Sequence, residues 1–129
     1  MPMMQFSVAP WRVLDKEHFE LCKEAADIHV KYSDYIIELA KNASETGQPI
    51  IRPMSYDYPE SGVKYDRTQF MLGDKVLVAP VLEKGAETKE VFFPRGKWQS
   101  VNAGREVIQG PRVEKVKVDL AALPVYEKV

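Results

Sequence analysis

A helix terminator followed at once by a proline-bracketed strand fixes how this chain is organised. Gly47-Gln48-Pro49 closes a long helical pattern. Glycine takes the left-handed backbone of a helix C′ position, and a proline two residues later cannot extend the ladder. Ile50-Ile51-Arg52-Pro53 follows, and with a proline on either side it has room only for a short strand, because each proline removes a ladder donor. Residues 56–64 then carry Asp, Pro, Glu, Ser and Gly, which is turn chemistry, and residues 66–72 read as a short helix or turn. Gly73-Asp74 leads into the apolar run Val76-Leu77-Val78-Ala79-Pro80-Val81. The chain before this junction is expected to be helical and the chain after it strand-rich.

The helical expectation rests on a stripe. Phe19, Cys22, Ala25, Ala26, Ile28, His29, Tyr32, Tyr35, Ile36, Leu39, Ala40 and Ala43 recur at three- and four-residue spacing, with Lys, Glu and Asp mostly on the other face. Asp15 is the expected N-cap and Glu17 lies in the positive first turn. A single helix over 15–45 would be about 45 Å long, so a kink is expected near Ser33. Beyond residue 75 the period changes to two. Strands are expected at 75–81, 88–93, 97–101, 106–108, 113–118 and 123–126, with turns at Lys84-Gly85, Pro94-Arg95-Gly96, Asn102-Ala103-Gly104 and Gly110-Pro111. Short strands at this spacing point to an antiparallel sandwich.

Bulk properties narrow the function classes. The 129 residues are 45% hydrophobic and 29% charged, so a core can form. A net charge of −1, with both signs mixed, leaves no footprint for nucleic acid or an anionic membrane. One cysteine, Cys22, excludes an internal disulfide framework. No run of about 18 apolar residues is present to cross a bilayer as a helix. The apolar start, Met1 to Trp11, lacks a basic leading region and a small-residue cleavage site, so it is not read as a signal peptide. It is also too apolar for a solvated terminus, which points to a chain that begins in mid-domain.

Several ordered motifs carry a resemblance. Gly47 through Pro53, Gln69-Phe70-Met71-Leu72-Gly73-Asp74 with Leu77-Val78-Ala79-Pro80-Val81, Gly85-Ala86, and Phe93-Pro94-Arg95-Gly96-Lys97-Trp98 resemble the C-terminal region of glycoside hydrolase family 31. An animal branch of that family is similar also in its Met-Gln-Phe-Ser segment, which stands here as Met4-Gln5-Phe6-Ser7 ahead of Pro10-Trp11. The resemblance implies an α+β fragment: the last helix and strand of a (β/α)8 barrel followed by an antiparallel β-sandwich. Residues 1–72 would be the C-terminal part of the barrel and residues 73–129 the proximal C-terminal sandwich domain. It implies hydrolysis of the O-glycosyl bonds of α-linked sugars by a retaining mechanism, with both catalytic aspartates lying upstream of this chain. A barrel of this kind needs about 250 residues, so the upstream segment is the first expected partner and an α-linked carbohydrate the second. No cofactor is implied.

Site candidates follow from the same residues. Gln5 and Ser7 can hydrogen-bond sugar hydroxyls and Trp11 can stack on a pyranose, or all three can line a barrel wall. Ser7 stands where the family often has a sugar-binding histidine, which bears on glucose-type specificity. Arg52, in a strand expected to be buried, must be paired; it is read chiefly as a structural ion pair close to the cleft and also as a substrate-binding candidate. Asp57, Glu60, Asp66 and Asp74 are the carboxylates at hand, and turn and solvent roles fit them better than catalysis. His18, Cys22 and His29 share the apolar stripe, where core or interface positions outweigh a metal site. Trp98, Tyr56 and Tyr58 are read as packing. The competing function is a non-catalytic module that binds carbohydrate or protein through its strands. Exposed barrel surfaces would also favour a homo-oligomer, which sedimentation velocity would test; a clean monomer would count against it.

Overall fold

The computed structural model describes residues 6–102, 104, 106–119, 121 and 123–129. It divides into two compact units, Met1–Ile50 and Ile51–Val129.

In the first unit a short helix, α1 (Pro10–Val13), precedes α2 (Lys16–Lys31) and α3 (Ser33–Thr46). The expected long helix is therefore two helices, broken at Tyr32, next to the position marked for a kink. The caps are those the residues require. Asp15 accepts from the His18 backbone N–H at 2.9 Å and so satisfies one of the orphan donors of the first turn. Gly47 takes φ 75° and its N–H donates to the Ala43 carbonyl. The predicted stripe is the more covered face of both helices, with Leu39 its buried residue, while Val30 and Ile37 lie exposed off it.

The His18 ring lies 2.7 Å from the same Asp15 carboxylate. Hydrogen bonds from the His18 backbone and ring hold the Asp15 carboxyl below its ordinary range, and the Asp15 bond raises the His18 imidazole. The raised histidine contributes fully below its unfolded pKa of about 6.5 and loses its contribution as pH rises through the folded value. The lowered aspartate contributes fully above about 3.9 and loses its part as pH falls through the folded value. The start of α2 is thus expected to be most helical between roughly pH 4 and 6.5. A proton-NMR titration should place the His18 midpoint above that of a free histidine and return it toward normal in Asp15→Asn. An identical midpoint in both proteins would refute the pairing.

In the second unit, six strands among the described residues form one antiparallel sheet in the order β1-β2-β3-β6-β4-β5. They are β1 (Ile51–Pro53), β2 (Phe70–Leu72), β3 (Val76–Val78), β4 (Thr88–Ser100), β5 (Val107–Lys117) and β6 (Val125–Lys128). Between β1 and β2 run a one-turn helix, α4 (Met54–Asp57), and two single 3-10 turns at Pro59–Ser61 and Tyr65–Arg67.

Two expected turns are not turns. Pro94-Arg95-Gly96 lies inside the 13-residue β4, and Gly110-Pro111 lies inside the 11-residue β5. The two breakers face each other: Gly96 is paired with Gly110, and the register shifts between Phe93 and Gly96. Two residues of β4 (Pro94, Arg95) oppose one of β5 (Pro111), which is a bulge that bends the ribbon without ending it. Beyond the bulge, Trp98, Gln99 and Ser100 also pair with β6.

The core collects Met54, Tyr58, Tyr65, Met71, Leu77, Val91, Phe93, Trp98 and Tyr126. Phe93 and Tyr126 meet edge to face at 4.7 Å, and Tyr65 stacks on Phe92 at 5.1 Å. The Trp98 indole N–H donates to the Pro94 carbonyl at 2.8 Å, which ties the bulge to the core. Ahead of the bulge, Gln69 takes the place of a neighbouring strand. Its Oε1 accepts from the Phe92 N–H at 2.9 Å, and its Nε2 donates to the Phe92 carbonyl at 2.8 Å.

Candidate functional site

The polar cluster that follows β1 is built on a single turn of helix. Arg52, on β1, reaches the Asp57 carboxylate with Nη1 at 3.1 and 3.2 Å, the two side chains being 11% and 23% exposed. Asp57 ends α4, so the strand and the helix that follows it are tied by one ion pair. At its other end α4 is held from a distance. Asp66 accepts from the Ser55 N–H at 2.8 Å and from the Ser55 hydroxyl at 2.6 Å. Those bonds, the hydroxyl first, hold the Asp66 carboxyl below the usual range. A carboxylate beside the first N–H groups of a turn satisfies donors that have no partner within it.

Alternate residues of α4 face opposite ways, because two residues advance the helix by about 200°. Met54 and Tyr58 are buried in the core, whereas Tyr56 is 48% exposed. The Arg52 guanidinium carbon lies 5.7 Å from the Tyr56 ring centroid, within cation–π range. Glu60, in the next turn, pairs with Arg95 at 3.2 Å on the surface.

The sequence-derived candidates separate. Arg52 sits in this cluster and has the acidic partner that its burial demands. Ser7 and Trp11 belong to the other unit, and both are exposed, Trp11 at 70%. Gln5 lies outside the described residues. Of the residues read as packing, Trp98 and Tyr58 are buried and Tyr56 is not. The candidate carboxylates Asp57, Asp66 and Glu60 each have a structural partner.

A depression of about 350 Å³ lies apart from this cluster and shares none of its residues. It is lined by Lys64, Tyr65, Glu83, Glu90 and Lys115 among others. Its main polar contact is internal: Lys64 Nζ lies 2.7 Å from Glu90, to which the Tyr65 hydroxyl also donates at 3.3 Å. That contact raises the Lys64 ammonium and lowers the Glu90 carboxyl.

Residues 47–129, which hold the whole sheet and the α4 cluster, match the model of the glycosyl hydrolase family 31 C-terminal domain. The chain belongs to glycoside hydrolase family 31. The family resemblance carried by Gly47–Pro53, Gln69–Asp74 and Phe93–Trp98 is thereby established. Over 128 residues, 97% of this chain, it is 37% identical to the myogenesis-regulating glycosidase of Mus musculus and covers 17% of that protein. It is 37% identical to an alpha-glucosidase of Saccharolobus solfataricus over 108 residues, covering 83% of this chain and 15% of the relative. Among solved structures, a family 31 dextranase of Flavobacterium johnsoniae, complexed with isomaltotriose, superposes with a TM-score of 0.87 at 32% identity. That superposition covers 95% of this chain and 15% of the dextranase chain. The family 31 chain described here thus spans about one-sixth of the length of the relatives it matches.

Proposed function

We propose that this chain is the C-terminal portion of a family 31 glycoside hydrolase that cleaves the O-glycosyl bonds of α-linked sugars. On this reading residues 1–72 complete a (β/α)8 barrel and residues 73–129 form the sandwich domain behind it, with β1 and β2 carrying the sheet across the join. The observation that supports it is the likeness to glycosidases over nearly the whole of this chain and only a small part of theirs. A retaining mechanism needs two carboxylates about 5–5.5 Å apart across the scissile bond, one a nucleophile and the other an acid and base in turn. Asp57, at the end of α4, and Asp66, in the 3-10 turn that precedes β2, are held by Arg52 and Ser55. The reading therefore assigns the catalytic pair to the enzyme's preceding segment and gives this chain a structural and substrate-binding part, with Arg52, Ser7, Trp11 and Gln5 as its substrate-side residues.

The purified 129-residue chain is expected to show no turnover of aryl α-glucosides or aryl α-galactosides, and the enzyme that contains it is expected to hydrolyse at least one. Turnover by the chain alone, or none by the whole enzyme, would overturn the proposal.

A further inference from the structure

We infer that Asn42 is an acceptor for an N-linked oligosaccharide, a reading that needs only the helical unit and no part of the glycosidase proposal. Asn42-Ala43-Ser44 has the acceptor pattern: an asparagine, a residue other than proline, then a hydroxyl two positions on. The other asparagine of the chain, Asn102, has a glycine at that third position. The three residues lie near the end of α3, shortly before the Gly47 cap. Asn42 is exposed, and so is every residue from Ser44 to Gln48. The carboxamide is held by its oxygen alone. Asn42 Oδ1 accepts from the Thr46 hydroxyl at 3.1 Å, while Nδ2, the atom to which a sugar attaches, has no partner among the described residues.

Neither packing nor helix formation accounts for these residues. Asn, Ser and Thr are weaker helix formers than the Lys, Glu or Ala that a solvated turn accommodates. Ser44 bonds back to the Lys41 carbonyl and Thr46 to that of Asn42, each at 2.7 Å, and such contacts compete with the helical ladder. The helix already has its terminator in Gly47, whose N–H donates to the Ala43 carbonyl, so Asn42 is not needed as a cap. A helix end opens more readily than its middle, which lets a transferase draw the segment out without disturbing buried Leu39. The sugar donor is an oligosaccharide on a polyprenyl diphosphate. Its C1–oxygen bond breaks with the electron pair leaving on the diphosphate, C1 bonds to Nδ2, and the amide nitrogen gives up one proton. A bulky, hydrophilic group then stands on a surface with room for it. The enzyme that contains this chain therefore passes through a compartment where such transfer takes place.

The test takes the full-length enzyme from the cells that make it and digests it with peptide-N-glycosidase in heavy-oxygen water. That treatment turns each glycosylated asparagine into an aspartate carrying the heavy isotope. Mass spectrometry of the peptide spanning residue 42 is expected to find the label in most copies of the parent and of Ser44→Thr, and to find it lost in Ser44→Ala. Unlabelled Asn42 in the parent would overturn the inference. Label that persists in Ser44→Ala would overturn it too, because it marks ordinary deamidation. Ser44 is exposed and its side chain bonds only to the backbone of its own helix, so Ser44→Ala is expected to keep the parent's thermal midpoint within a few degrees. Loss of label at that midpoint excludes misfolding as the cause. Failure of the enzyme to hydrolyse aryl α-glycosides would defeat the glycosidase proposal and leave the result at Asn42 standing.

Discussion

Gly110→Ala is expected to destabilise the sheet unit by at least about 3 kcal/mol, the upper range for forcing extra volume into a packed site. A Cβ on Gly110 would lie 1.9 Å from the Pro94 carbonyl oxygen and 2.7 Å from that of Phe93. Both obstacles are backbone, so no side chain can swing aside. The Pro94 carbonyl is also the acceptor for the buried Trp98 indole. Moving it away from a new methyl group would stretch that bond and leave a buried donor unsatisfied, which adds to the steric cost. The bulge has the same origin: the Pro94 carbonyl of β4 can lie against β5 at this point only because Gly110 has no side chain. Urea unfolding should show the loss as a lower midpoint at unchanged slope. A loss of less than about 1 kcal/mol would mean that the ribbon has room to open, contrary to the geometry here.

This crossing also shows where the sequence was legible and where it was not. The features read correctly from the residues are those whose partners lie close along the chain. Asp15 caps His18 three residues away, and Gly47 bonds back to Ala43. The stripe from Phe19 to Ala43 needs only helical spacing to declare its covered face. Pro94-Arg95-Gly96 and Gly110-Pro111 were misleading because each, taken locally, has the composition of a turn. Their joint use as a bulge depends on pairing across the ribbon, which no local pattern encodes. Arg52 lies between the two cases. A guanidinium in a buried strand announces that it needs an acid, but the choice of Asp57 over Glu60 or Asp66 depends on the one-turn helix that follows. Given that helix, the opposite fates of Tyr56 and Tyr58 follow from their two-residue spacing; read as loop, the same stretch gives no reason to separate them. Family membership was more legible than any single site, because it needs only ordered motifs, whereas a site needs the contacts among them.

The second large effect concerns a contact that local sequence could not reveal. Gln69 and Phe92 are 23 residues apart, and nothing in Thr68-Gln69-Phe70 indicates that the amide will stand in for a strand. Gln69→Leu keeps most of the volume and removes both hydrogen bonds, leaving the Phe92 N–H and carbonyl buried without partners. At about 1–3 kcal/mol for each of the two orphaned groups, the expected loss is roughly 2–6 kcal/mol. Gln69→Glu separates hydrogen bonding from volume. Its carboxylate can still accept from the Phe92 N–H, but its second oxygen then faces the Phe92 carbonyl, acceptor against acceptor. Protonation turns that oxygen into a donor and restores the pair. The folded state therefore holds the proton more tightly than the unfolded chain, in which a glutamate titrates near 4.3. The sign follows: between those two values the folded protein binds more protons, so the variant's stability falls as pH rises. Measured against the parent at each pH, which removes the opposite trend from Asp66 and Glu90, the Gln69→Glu deficit should shrink on acidification from pH 7 to about 4. The Gln69→Leu deficit should not change. Equal pH dependence in the two variants would show that Gln69 fills space at the sheet edge and does not complete its hydrogen bonding.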